Sequence, residues 1–149
     1  MAYTGSKAQA GRGATLSIGA TPGVLIGEIT DLPFDLPEWQ TVDTTNLQSG
    51  SDSEFLPTIR KTSAWTLKVN RVSTDAGQAA VQTAYSAATL TPFSLTLPAE
   101  QGQTTGDSFT FNAYVLSASF TISPTSVVSA SLKIQISGPV TPVEGTAAA

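Results

Sequence analysis

Apolar and small polar residues alternate along much of this chain with a period of two, the mark of a strand buried on one face. Residues 14–18 put Leu16 and Ile18 on one side, a turn at Thr21-Pro22-Gly23 follows, and residues 24–29 read as a second strand. Trp65, Leu67 and Val69 alternate with Thr66, Lys68 and Asn70, and Phe93, Leu95 and Leu97 repeat the pattern up to Pro98. Over residues 108–122, Phe109, Phe111, Ala113 and Val115 share one face, while Tyr114, Leu116, Ala118, Phe120 and Ile122 share the other. The apolar set therefore changes sides near Ala113–Leu116, which predicts a bulge or a strand covered on both faces. In the last strand Val128, Ala130, Leu132, Ile134 and Ile136 alternate with Ser129, Ser131, Lys133, Gln135 and Ser137.

One stretch has a helical period instead. Asp75 is placed to cap a helix over residues 75–88, Gln78 stands where a capping-box partner belongs, and Val81, Ala84, Tyr85 and Ala88 form one stripe. The pattern predicts a mainly β fold, a β-sandwich or barrel, with a single flanking α-helix. Residues 14–137 form its body. Residues 1–13 and 138–149 lack a periodic apolar face and read as extended N- and C-terminal arms, either frayed or ordered only against a neighbour. Residues 38–57 read as a long loop with Trp39 and Phe55 as apolar anchors at its ends.

The chain has 149 residues, enough for one ordinary domain. It contains neither cysteine nor histidine, which removes disulfides, thiolate metal sites and the commonest general base and metal ligand. The remaining carboxylates match no calcium-loop spacing, and Gly11-Arg12-Gly13 lacks the ending of a phosphate loop. No catalytic, cofactor or metal residue is nominated, and the expectation is a protein that is not an enzyme. No apolar run is long enough to cross a bilayer as a helix, and residues 1–12 have no secretion-signal pattern, so assembly in a cytoplasm is expected.

Charge is sparse: 12% of residues are charged, about half the usual share, which suits a folded surface largely occupied by neighbours. Seven of the eleven acids lie from Glu28 to Glu54, and no Lys or Arg stands between Arg12 and Arg60. This acidic segment is either a solvated loop or a strip lying along a neighbouring subunit, opposite a basic arm carrying Lys7 and Arg12 or opposite Arg60-Lys61. With net charge −4 and no basic patch, sequence-reading of nucleic acid is disfavoured, whereas a weakly acidic conduit would let DNA slide without sticking.

The opening GRGATLSIG, the segment GEITDLPFDLPEWQTVDTTNLQSGSDSEFLP, the following RKTSAWTLKVN and the helix DAGQAAVQTAYSAA together resemble the major tail (tail tube) proteins of long, non-contractile-tailed bacteriophages. The likeness covers most of the chain as an order of elements. It implies a tail-tube β domain forming hexameric rings that stack into a hollow tube in the virion, assembled in the host cytoplasm. The implied partners are further copies of itself, a tape measure protein and passing viral DNA in the lumen, with no cofactor and no membrane binding. Mapped onto this chain, Ser129, Ser131, Lys133 and Gln135 become candidates for the lumen face, and Lys7, Arg12, Asp43, Asp52 and Glu54 for contacts between rings. A tail terminator, a decoration protein or a carbohydrate-binding sandwich are the alternatives; the dispersal of Trp39, Trp65 and Tyr114 speaks against the last.

Overall fold

The alternating runs pair as their patterns require. The computed structural model describes residues 11–20, 23–99 and 103–146. In it β6 (Ala64–Asn70) lies antiparallel between β3 (Ile29–Asp31) and β9 (Ser129–Ile136), with Trp65 opposite Ile134, Leu67 opposite Leu132 and Val69 opposite Ala130. The sheet continues through β8 (Ser108–Thr121), β7 (Thr91–Thr96), β1 (Thr15–Ile18) and β2 (Val24–Leu25), in the order β2-β1-β7-β8-β9-β6-β3. An eighth strand, β10 (Thr141–Val143), pairs with the start of β8.

Strands β2 and β3 are the two ends of that order, yet only Ile26, Gly27 and Glu28 separate them. A flat path of seven strands would hold its edges about 29 Å apart, whereas the chain from Leu25 to Ile29 spans at most about 14 Å. The sheet therefore curls into a half-barrel. The expected strand over 24–29 is split for the same reason. Its halves serve opposite edges, and the chain turns between them at Glu28, a non-glycine residue with φ 60.

Helix α1 (Ala76–Ala87) fastens the crossing. The Asp75 carboxylate accepts from the backbone N–H of Gln78 at 2.9 Å and of Gly27 at 3.1 Å. Gln78 does not close a capping box. Its amide is 4% exposed and donates to the carbonyls of Gly27 (3.1 Å) and Asn70 (2.9 Å) while accepting from the N–H of Val72 (3.0 Å). Gly77 permits the approach, because a Cβ there would lie 2.1 Å from the Leu25 carbonyl oxygen. The helix buries Gly77, Gln78, Val81 and Ala84, whereas Tyr85 and Ala88, expected on the buried stripe, are exposed, Tyr85 at the mouth of a small cavity beside Val115 and Phe120.

Inside the curl, Phe93 stacks on Phe111 at 5.7 Å, and Phe34 meets Trp65, Phe109 and Phe111 at 5.4–5.9 Å. The side change expected near Ala113–Leu116 is a bulge: pairing with β9 shifts between Val115 and Ser117.

Two further expectations are corrected. Residues 38–57 are not one long loop, because β4 (Glu38–Asp43) and β5 (Phe55–Lys61) pair as a separate hairpin. Residues 138–146 are not a free arm either. The chain turns at Gly138 (φ 94), buries Val140, adds β10 to β8, and ties the Gly145 N–H to the Asp107 carboxylate at 2.7 Å.

Replacing Gln78 with Ala leaves the Gly27 and Asn70 carbonyls and the Val72 N–H without this partner in a buried setting. The expected loss is about 2–4 kcal/mol of unfolding free energy in urea, against no change for the exposed Gln82→Ala. Equal midpoints for the two variants would contradict the clasp.

Candidate assembly surfaces

With the core inside the curl, the opposite face of the sheet is left mostly to small polar side chains, with Tyr114 opposite Gln135 as its large member. On β9, Ser129, Ser131 and Gln135 are half-buried and Lys133 is exposed, all pointing away from the core strip Ala130–Leu132–Ile134–Ile136. The register extends this face on both sides. Lys133 stands between Ser117 and Thr66, Ser131 between Ser119 and Lys68, and Ser129 between Thr121 and Asn70. Ser17, Ser94 and Thr110 continue it across β1, β7 and β8. The four residues singled out from sequence are thus brought together, and Ser117, Ser119, Thr121, Thr66, Lys68 and Asn70 join them. Their own alternation marked them, but only the pairing shows that they share the face. Gln135 is partly occupied, since its amide donates to the Thr62 hydroxyl at 2.9 Å.

None of β1, β6, β7, β8 or β9 carries a carboxylate. Lys68 and Lys133 are the charges on this face away from its edge, where Asp31 sits opposite Lys68. The acids among the described residues therefore lie in connections, at the sheet's rim and on the hairpin.

The hairpin stands clear of the core. All seven residues of β5 are exposed, as are Trp39, Val42 and the fully exposed Leu47. Arg60 lies over the Trp39 ring at 5.4 Å. The acids named from sequence stand at its loop end, and two of the three help to build it. The Asp43 carboxylate accepts from the Thr45 N–H at 2.9 Å, and the Glu54 carboxylate accepts from the Ser49 hydroxyl at 2.6 Å. The Thr45 hydroxyl and then its N–H hold the Asp43 carboxyl below its ordinary pKa, so this contribution is present above that pKa and fades as pH falls through the lowered one. Asp52 is exposed in the same loop. Arg12 lies elsewhere, on an open groove of about 830 Å³ lined also by Asp31, Leu32, Phe34, Leu36, Leu97 and Phe109. Lys7 lies outside the described residues.

No three Asp or Glu side chains among the described residues approach closely enough to hold a metal ion, and no helix there is long and apolar enough to cross a membrane.

No family model and no curated protein matches this sequence. Among solved structures the fold is similar to a chain in the virion of a native gene transfer agent particle, with a TM-score of 0.73 at 16% identity over 94% of this chain and 100% of that one. It is similar to one in the tail of an empty gene transfer agent particle with C6 symmetry, with a TM-score of 0.73 at 16% identity over 91% of this chain and 99% of that one. It is also similar to the SPP1 tail tube, with a TM-score of 0.66 at 15% identity over 91% of this chain and 78% of that one. The fold is of the tail-tube type.

The two tryptophans report on the hairpin: Trp39 is 55% exposed and Trp65 is 3% exposed. In the dispersed protein acrylamide should quench one emitting population and spare the other, and Trp39→Phe should remove the quenchable one. A uniformly protected emission would contradict a hairpin that stands free.

Proposed function

We propose that this chain is the structural subunit of a bacteriophage tail tube, assembling into six-membered rings that stack into a hollow conduit for DNA. It works by shape and self-association and performs no catalysis. The observation that carries this reading is the tail-tube fold combined with a broad sheet face of hydroxyls that bears no carboxylate away from its edge.

In this reading Ser129, Ser131, Lys133 and Gln135, with Thr66, Lys68, Ser117 and Ser119 beside them, line the lumen. Small neutral groups bind a passing polyanion weakly, and two lysines per subunit give only shallow, salt-screened attraction. A tape measure protein would occupy the same channel before DNA. The hairpin, the arm of residues 1–13 and the acids Asp43, Asp52 and Glu54 join successive rings, with Lys7 and Arg12 as cationic counterparts. Exposed ion pairs contribute about 0–1 kcal/mol each, so they set register while apolar contacts supply affinity. The product is a virion component.

Electron microscopy of the purified protein tests the assembly. Tubes of uniform diameter built from six-fold rings are expected, and a protein that stays monomeric at high concentration would overturn the reading. The lumen is tested separately in this cysteine-free chain. In assembled tubes, Lys133→Cys should react with a small maleimide but not with one carried on a large polymer, whereas Leu47→Cys should report an outer or inter-ring position. Equal reaction of Lys133→Cys with both reagents would place that face outside.

A further inference from the structure

The hairpin's apolar residues do not share one face. Pairing sets Trp39, Thr41 and Asp43 with Arg60, Pro57 and Phe55 on one side, and Val42 with Leu56 on the other. Trp39, Phe55, Val42 and Leu56 are each 48–59% exposed. A two-stranded hairpin that stands alone is marginally stable in water, and one resting on a single surface would leave an apolar face wet. Both sides of this hairpin require cover.

Among the described residues, the body of the same chain leaves two apolar surfaces open, of matching character. The first is the groove of Leu32, Phe34, Leu36 and Phe109, carrying one cation, Arg12, and one anion, Asp31. The Trp39 side of the hairpin likewise carries one anion, Asp43, and one cation, Arg60. The second surface is the β8–β9 end, where Phe120 is 50%, Ile122 78% and Val127 65% exposed. No charged residue occurs from Leu116 to Val128, but the Arg71 guanidinium lies over the Phe120 ring at 5.9 Å. Glu54, two residues from Leu56, gives the Val42–Leu56 side an anion to meet it. Phe109 and Phe120 are eleven residues apart on the single strand β8, hence about 35 Å. A hairpin one sheet-spacing thick, about 10 Å, cannot touch both surfaces on one molecule.

We propose that the hairpin is a two-faced wedge held between two different copies of this chain. Its Trp39–Phe55 side lies in the Arg12–Asp31 groove of one copy, and its Val42–Leu56 side lies on the β8–β9 end of another. Each subunit thereby links to two neighbours through one element. This rests on the self-assembly proposed above, and it adds which surfaces meet and that two copies are needed.

The absence of native cysteine makes the test clean. A chain carrying both Phe55→Cys and Leu56→Cys is mixed with two single variants, Leu36→Cys and Ile122→Cys, each altered at an exposed position. After assembly the mixture is treated with a short bismaleimide. The wedge gives cross-linked trimers with all three chains present, and only dimers when either single variant is omitted. Dimers alone from the full mixture, with Leu56→Cys never coupling to Ile122→Cys, would overturn it while tubes seen by microscopy leave the self-assembly reading standing. Absence of tubes from the unaltered chain would remove that reading and the wedge together.

Discussion

Strands β2 and β3 end the sheet on opposite sides while three residues join them, and this chain connection forces the curl on which the rest of the structure depends. Closing the edges encloses Phe93, Trp65 and Phe111 in one core. It also brings the N-terminus of α1 onto the crossing, where Asp75, Gly77 and Gln78 each meet the backbone of residues 25–27. The price is one strained residue, Glu28, in the left-handed region. The buried Gln78 amide ties two separate stretches of backbone together, Gly27 just before that turn and Asn70–Val72 at the end of β6.

Because the curl completes itself with β3 paired to β6, and Leu32 and Phe34 finish the core just after β3, the hairpin residues 38–61 are left without a place in it. The hairpin they form places aromatic and aliphatic side chains in water on both sides. That arrangement is stable only when other surfaces take them up. The exposed Phe120, Ile122 and Val127 at the other end of the body pose the same demand. The outer face of the sheet has the opposite chemistry, with hydroxyls, two lysines and no carboxylate except at its edge. One molecule thus carries sticky surfaces at its extremities and a low-adhesion surface between them, as a ring subunit with a passive channel would require.

Much of this was legible in the chain. Strands with one buried face announce themselves by alternation, and β6, β7, β8 and β9 stand where the pattern put them, down to the bulge beside Leu116. The helix was marked by Asp75, although Gln78 acts across the sheet crossing instead of in a capping box. The hairpin was not legible, because two apolar faces erase the period-two signal: Phe55 and Leu56 adjoin, and Trp39 and Val42 fall three apart. The split of residues 24–29 was hidden for a related reason. Local pattern shows that a segment is extended but not which edge of the sheet each half will serve. Ser129, Ser131, Lys133 and Gln135 share one face of β9, as their alternation with Ala130, Leu132, Ile134 and Ile136 requires. Their companions on β6 and β8 needed the inter-strand register, which no single segment encodes.

The central claim is that this subunit folds alone but leaves surfaces that only its own copies cover. Amide hydrogen exchange compared between dispersed and assembled protein tests it most directly. The account predicts that β4 and β5 exchange rapidly in the dispersed subunit and become protected on assembly, while the amides of α1 and of β6 keep the same protection in both states. Equal exchange of β4 and β5 in the two states would contradict it.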